Sequence, residues 1–379
     1  MTLYGAGFLV GAGFVLLPAL GATFERAPYR FSSAGYGFLY FPEILGAILS
    51  ALFAGRLRRR FGEAALFRTG AGANLLALAA LSGAFFARGP LAYGAVLAET
   101  IFLGLGFGLA NTALNHLTAA LFPERETRAI TLLNAVIGGA TAVSPLLLRG
   151  LGGPIGWIAW PLLLALAWII LLFTPVPAIP APKASASVPW RLPVAAALAV
   201  LFYAIVEGSF GSWAAVFVSV NRALPVADGA LALSLFWASM TATRLLLGAI
   251  PDRVLSRRAC YLASPLGIAL CFLMIPLLSG ASALVAAFAA AGIATGIYYP
   301  YTLSYALKAQ PEASTEIAGL LVGALMAGEG IGSFGLGPLQ TLLRLGTLYR
   351  FSALWALPLL ALAWFVSRRK IRQGDPLPS

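Results

Sequence analysis

Long apolar runs constrain this chain more than any other feature of its sequence. Twelve of them lie at about 3–22, 35–54, 63–86, 91–120, 128–148, 154–174, 192–220, 228–250, 259–279, 282–308, 317–340 and 348–367. A helix that crosses about 30 Å of hydrocarbon needs roughly 20 apolar residues, and each run supplies about that length. Transmembrane barrels instead show short segments of alternating hydrophobicity. The sequence therefore predicts an all-α integral membrane protein with twelve transmembrane helices.

The composition agrees with this class and excludes others. Hydrophobic residues make up 60% of the 379 residues and charged residues only 10%, whereas about a quarter of residues are charged in soluble proteins. The net charge of +12 comes from short basic clusters between apolar runs, so we expect no nucleic-acid partner. Cys260 and Cys271 lie in one run and offer no disulfide framework or metal-ligand pattern. We expect neither a metal nor a cofactor.

The basic residues are unequally divided between the two sides of the membrane. If the even-numbered loops and both termini share one side, that side holds 16 Lys and Arg residues and the other side holds 7. Cytoplasmic loops carry an excess of Lys and Arg. We therefore predict a multi-pass protein of the cell membrane with both termini in the cytoplasm.

The twelve runs divide into two sets of six. The predicted units are an N-terminal six-helix bundle (1–174), a cytoplasmic Pro-rich linker (175–190), a C-terminal six-helix bundle (191–367) and a cytoplasmic tail (368–379). Gly104 and Gly108 in the fourth run recur as Gly292 and Gly296 in the tenth. Such a repeat predicts two pseudo-symmetric bundles with a site between them.

The loop after the eighth run resembles the signature loop of the major facilitator superfamily. It reads Gly248-x-x-x-Asp252-Arg253 and continues to a pair of arginines, although Leu255 stands where the family has a second Gly. The resemblance implies a fold of two six-helix bundles and transport by alternating access. It also implies that Gly248, Asp252 and Arg253 act in gating.

The corresponding loop after the second run is a partial match to the same signature. Gly55, Arg60 and Gly62 agree with the family, but Arg59 stands in place of its Asp. The resemblance therefore extends the gating assignment to Gly55 and Arg60, without the acidic position.

Carboxylates at membrane depth are functional candidates by default, because an ionisable group there costs at least about 2.5 kcal/mol. Glu207 lies near the middle of the seventh run, one helical turn from Tyr203. We interpret Glu207 as the leading proton-coupling residue, and a satisfied interhelical hydrogen bond is the alternative. The stretch from Tyr203 to Trp213 is similar to the seventh helix of the fucose permease-like branch of the superfamily, which includes proton-coupled sugar transporters.

Three further carboxylates are proton-coupling candidates. Glu329 lies between two glycines in the eleventh run, so a structural role in helix packing explains it equally well. Glu43 lies roughly eight residues below the outer surface in the second run, where water in a vestibule would solvate it and allow a role in gating or protonation. Glu99 lies within the fourth run.

Two basic residues also lie within the runs. Arg244 keeps its charge at any relevant pH and needs a partner, which is either an anionic substrate group, a carboxylate such as Glu329, or the inner membrane surface. His116 can exchange a proton near neutral pH. Its place near the inner end of the fourth run also fits an interfacial or hydrogen-bonding role.

Amide and phenol groups in the runs could hold a polar solute. Asn111 and Asn115 lie one turn apart on one helical face, and the superfamily resemblance implies that the first, fourth, seventh and tenth helices line the cavity. Amides and phenols bind hydroxyl groups, while an indole such as that of Trp213 stacks on a sugar ring or packs in the core. The substrate-binding candidates are Asn111, Asn115, Tyr203, Trp213, Tyr298 and Tyr299.

These features favour a secondary active transporter that moves a small polar neutral solute, with a sugar or polyol as the first choice, together with a proton. The sparse charge disfavours dicarboxylates, phosphate esters and peptides. A proton-coupled exporter of hydrophobic or amphiphilic compounds is the alternative. The sequence has no Gly-x-x-x-x-Gly-Lys motif and no partner for its single His at catalytic spacing, so we expect neither an ATP-driven pump nor an enzyme. The expected partners are the substrate, the proton and the bilayer, and the expected state is a monomer.

Overall fold

The computed structural model describes residues 2–151, 153–177, 191–249, 256–310 and 314–368. These residues form helices and short connections, with no strand among them. Eleven of their helical segments are long and apolar enough to cross a membrane. The expectation of an all-helical membrane protein is confirmed.

The described part of the first half forms six α-helices. They are α1 (Thr2–Phe14), α2 (Leu16–Phe24), α3 (Ser33–Phe86), α4 (Gly89–Leu121), α5 (Glu126–Gly150) and α6 (Gly153–Leu172). The 54-residue α3 contains both the second and the third predicted crossing. Gly62 has a φ of 84°, which is not helical, and so divides α3 into a first arm (33–61) and a second arm (63–86). A positive φ of this kind favours Gly because Gly has no Cβ atom.

The described part of the second half continues the series of helices. Its helices are α7 (Arg191–Val216), α8 (Val226–Ala249), α9 (Arg257–Met274), α10 (Ala281–Gly296), α11 (Tyr298–Ala309), α12 (Ser314–Leu339), α13 (Leu345–Ser352) and α14 (Ala356–Arg368). Residues 178–190 of the predicted linker, and the predicted tail from 369 onward, lie outside the described residues. The exact boundaries between the predicted units therefore stay a prediction.

Three crossings are each built from two shorter helices, and proline explains all three breaks. The pairs are α1 with α2, α10 with α11, and α13 with α14. Pro18, Pro300 and Pro358 each follow a break by about four residues. A proline ring clashes with the carbonyl four residues earlier and leaves it without a hydrogen-bond donor.

The two ends of the molecule differ in charge. We call the end that carries Arg56–Arg60 and the start of α7 the basic face. The end that carries the α2–α3 and α7–α8 connections is called the opposite face. Helices α2, α7 and α8 pack on one another, as do α3 with α12 and α5 with α8, whereas α4 packs on α1, α3 and α5 of its own half.

The halves are in tight contact toward the opposite face. A Cβ atom added to Gly37 on α3 would lie only 2.6 Å from the Cα atom of Gly337 on α12, so only glycines permit this contact. Arg26, just after α2, donates hydrogen bonds to the carbonyls of Ser219 and Leu224 beyond α7, the latter at 3.1 Å. The opposite face is therefore closed in this conformation.

Candidate functional site

An ion pair with a buried carboxylate lies where α7 and α8 meet. Arg244 Nη2 is 3.2 Å from Glu207 Oε1 and donates a 2.6 Å hydrogen bond to the hydroxyl of Tyr203. The Glu207 side chain is only 6% exposed, whereas that of Arg244 is 32% exposed. The sequence suggested Glu329 as one possible carboxylate partner of Arg244. In the structure Arg244 instead pairs directly with Glu207.

Aromatic rings surround this ion pair. The ring of Tyr203 stacks on Tyr298 and Tyr299, with centroids 5.8 and 6.0 Å away. The Arg244 guanidinium lies 5.9 Å from the Tyr299 ring, a cation–π distance. Tyr298 is fully buried and donates to the Leu359 carbonyl at 2.8 Å, so its hydroxyl is used structurally. Tyr299 is half-buried and is the better placed of the two to contact a solute.

The amides of α4 form a separate pair. Both Asn111 and Asn115 are half-buried. The Asn115 amide donates to the Asn111 backbone carbonyl at 2.8 Å and to its side-chain oxygen at 3.2 Å. These bonds hold the two amides together on one face of α4, apart from the ion pair on α7 and α8.

Trp213 lies at the closed contact between the halves. Its ring is fully buried, its Nε1 donates to the Ser333 carbonyl at 2.8 Å, and it meets Tyr36 edge-on at 5.2 Å. Tyr36 in turn donates to the Ser212 carbonyl across the halves at 3.1 Å. In this conformation Trp213 packs between helices.

The other three carboxylates lie on different helices. Glu43 on α3 and Glu329 on α12 line one small cavity between the halves. Glu99 on α4 is 1% exposed, and its Oε2, like that of Glu43, has no hydrogen-bond partner in the described part of the chain. Glu99 lies close enough to Glu43 for their charges to interact.

The candidate gating residues are only partly described. Gly55 and Arg60 lie near the end of the first arm of α3, where the Arg60 guanidinium stands 5.1 Å from the Phe61 ring. Gly248 lies in the last turn of α8. Asp252 and Arg253 fall outside the described residues.

One charged group escaped the sequence analysis. Glu63 follows Gly62 directly and is 5% exposed. Its carboxylate lies 3.8 Å from Arg58 and 3.7 Å from His116, and Arg58 is also 3.2 Å from His116. The signal was a lone carboxylate at the start of a run that follows an arginine cluster. His116 thus joins a charge cluster that ties the loop within α3 to α4.

Comparison with known proteins decides the family. The sequence model of the Major Facilitator Superfamily matches residues 3–335. The chain belongs to the Major Facilitator Superfamily. The resemblance inferred from its loops is thereby confirmed.

A curated relative in the superfamily covers part of the chain. It is MFS transporter OpS2 of Beauveria bassiana (strain ARSEF 2860), which is 30% identical over 174 residues. The match covers 39% of this chain and 49% of that protein, so the chain spans about half the length of the curated relative it matches.

Solved structures of superfamily members share the whole fold. A D-xylose-proton symporter has a TM-score of 0.79 at 15% identity, covering 99% of this chain and 98% of that one. A bacterial homologue of the human lysosomal transporter Spinster, in an inward-facing and occupied conformation, scores 0.73 at 13% identity over 99% and 97%. The superfamily transporter FucP, in an outward conformation, scores 0.62 at 16% identity over 97% and 98%. At these identities the likeness establishes the fold of two six-helix bundles. The proteins are named as transporters and symporters, not as enzymes.

Proposed function

We propose that this protein is a secondary active transporter that moves a small polar neutral solute by alternating access together with a proton. A sugar or polyol is the leading substrate. The observation that carries the proposal is the ion pair between Arg244 and Glu207 at membrane depth, with Tyr203 beside it. An ion pair in a low-dielectric site persists only while both members are charged, so a proton on Glu207 breaks it.

The proposed coupling follows from this pair. Protonation of Glu207 frees the Arg244 guanidinium, whose fork of donors then turns toward Tyr203, Tyr299 or a hydroxyl-rich solute. The half-buried amides Asn111 and Asn115 supply donors and acceptors from the other half. Solute binding and proton binding are thus linked through one guanidinium. The name of the D-xylose-proton symporter, which shares the fold, supports this choice of substrate class.

We further propose that the basic face lies in the cytoplasm and that both termini emerge there. The excess of Lys and Arg at that face supports this orientation. In that case the opposite face is the outer side, and the conformation described above is closed to the outside. The units proposed remain two bundles, 1–174 and 191–367, acting as a monomer.

Proton flux in proteoliposomes tests the proposal. A pH-sensitive dye inside the vesicles reports flux while sugars, polyols and lipophilic cations are added outside to the wild type, Glu207→Gln and Glu124→Gln. Glu124 is an exposed carboxylate outside the helical crossings, so its variant is the matched control. We expect one sugar or polyol to acidify the lumen in the wild type and the control, but not in Glu207→Gln. Labelled solute that enters without proton flux would instead indicate uniport.

Export of hydrophobic or amphiphilic compounds is the second candidate. The residues where the halves meet favour it, because Phe14, Phe107, Trp237 and Met326 surround Glu43 and Glu329 there and would line a wider space once the halves separate. Apolar walls with buried carboxylates suit a lipophilic cation. Proton movement in the opposite direction, only with lipophilic cations, identifies this function in the same assay.

A further inference from the structure

The cavity between the halves brings two carboxylates together across the interface. Glu43 comes from α3 and Glu329 from α12, the helices that meet at Gly37 and Gly337. Apolar residues of α1, α2, α4 and α8 close its other sides. None of the described residues that line it is a Lys, Arg or His.

Its hydroxyl groups already have partners. Tyr40 pairs with the Tyr36 hydroxyl at 2.5 Å, and Ser212 donates to Ser333 at 2.7 Å. In contrast, Glu43 is 5% exposed, faces the cavity and has an Oε2 atom without a hydrogen-bond partner among the described residues. One carboxyl oxygen that faces the cavity therefore has no hydrogen-bond partner among the described residues.

The cavity is small. Its volume is about 20 Å³, which leaves room for about one water molecule. Glu43 and Glu329 thus line one common space that holds about one water molecule. The space does not admit a hydrated metal ion or a sugar.

The charges around the pair are mostly of the same sign. Glu99 on α4 lies close enough to Glu43 for their charges to interact, and so does Glu207 on α7 to Glu329. The positive charge of Arg244 on α8 also interacts with Glu329, but Arg244 forms its ion pair with Glu207. Two ionised carboxylates in this closed space would repel each other, and one shared proton removes that repulsion, as in other carboxyl pairs.

We propose that Glu43 and Glu329 bind one proton between them across the interface of the two halves, and that this shared proton holds the opposite face closed. Opening separates α3 from α12, lets water reach both carboxylates and releases the proton. The closed state therefore binds one more proton than the open state, and closure is favoured as pH falls. This site is separate from the proposed coupling at Glu207 and requires no substrate.

Distances across the opposite face test the inference without substrate. Nitroxide labels at Leu91→Cys and Leu342→Cys, exposed positions in different halves, report closure by pulsed electron resonance in nanodiscs from pH 5 to 9. Cys260 and Cys271 are replaced by Ser. All measurements use a Glu25→Gln background, because Glu25 is another titratable group near this face. One linked proton changes the closed-to-open ratio by up to about tenfold per pH unit.

We expect this pH response in the background protein and in Glu207→Gln, and less than about a twofold change per pH unit in Glu43→Gln and Glu329→Gln. Glu43→Asp, which keeps a carboxyl group, should retain the response and shows that a loss is not a folding defect. An unchanged response in both Gln variants overturns the inference. So does a response lost only in Glu207→Gln, which leaves the proposed function standing. Closure that follows sodium, when choline replaces it, and not pH also overturns it.

Discussion

Arg244 is the residue on which the polar cluster depends. One guanidinium contacts the Glu207 carboxylate, the Tyr203 hydroxyl and the Tyr299 ring. A planar fork of donors can make these contacts at once, whereas the ammonium group of lysine is a single point charge. The geometry of the cluster therefore needs an arginine and not only a positive charge.

A charge-conserving substitution tests this point. We expect Arg244→Lys to lower solute-driven proton flux about tenfold or more, since a hydrogen bond to a charged group contributes about 1.5–3 kcal/mol. Vesicle flux measures the loss. Arg149→Lys, at an exposed site, is the control and should behave as the wild type. Equal flux in both variants would show that the fork geometry is unimportant.

The buried Glu63 should matter for stability. Glu63→Gln leaves Arg58, whose side chain is 14% exposed, without its carboxylate partner. We expect the free energy of unfolding to fall by about 1–3 kcal/mol, seen as a lower melting temperature in detergent. Glu124→Gln should leave the melting temperature unchanged. A melting temperature of Glu63→Gln equal to that of the wild type would show that the cluster does not stabilise the loop.

At the scale of elements, the connection from α2 to α3 locks the opposite face. Arg26 reaches from the first half to two carbonyls at the end of α7. Beside it, burial raises the pKa of Glu25 from 4.5 to about 7, although a hydrogen bond with Ser33 opposes the shift. The lock is therefore sensitive to both the guanidinium and the protonation of its neighbour.

Removal of the Arg26 side chain should open this face. We expect Arg26→Ala to increase the rate at which an impermeant thiol reagent modifies Ser219→Cys, a fully buried position beneath the lock, on a background without Cys260 and Cys271. Arg149→Ala is the control. An unchanged modification rate would mean that the α3–α12 contact alone keeps the face closed.

The pH dependence of the lock has a definite sign. In the closed state the pKa of Glu25 is about 7, and 4.5 is its ordinary value, to which it returns when opening exposes the group to water. Closure thus gains its full stabilisation below about pH 4.5, loses it as pH rises toward 7 and has none above. Modification of Ser219→Cys should speed up over this interval, and Glu25→Gln should remove that component. The component would persist in Glu25→Gln if another group were responsible.

For the whole molecule, closure of the opposite face depends on how near the halves can come. The contact between Gly37 and Gly337 leaves no room for a side chain. Gly72, on the second arm of the same helix, has nothing within 4 Å of an added Cβ. The two glycines thus provide a matched pair for testing the interface.

We expect Gly37→Ala to shift the label distance between Leu91→Cys and Leu342→Cys toward longer values, because the new methyl group prevents the closed contact. Gly72→Ala should leave the distance distribution unchanged. If both variants had the distance distribution of the wild type, α3 and α12 would be able to shift enough to accommodate the methyl group without opening the face.

The sequence by itself determined that this is an all-helical membrane protein, and its loops indicated the family. Apolar length and a short loop signature act locally along the chain, so each can be read without knowledge of what packs against it. The sequence also singled out the buried charges, because any charge in an apolar run is conspicuous.

Only the tertiary structure decided which of these groups meet. It placed Glu207, and not Glu329, beside Arg244, packed Trp213 between the halves, and brought Glu43 and Glu329 into one cavity. It also joined Glu63 to Arg58 and His116. Such pairings depend on the rotation and depth of helices that are distant in sequence, and small residues such as Gly37 and Gly337 set that depth.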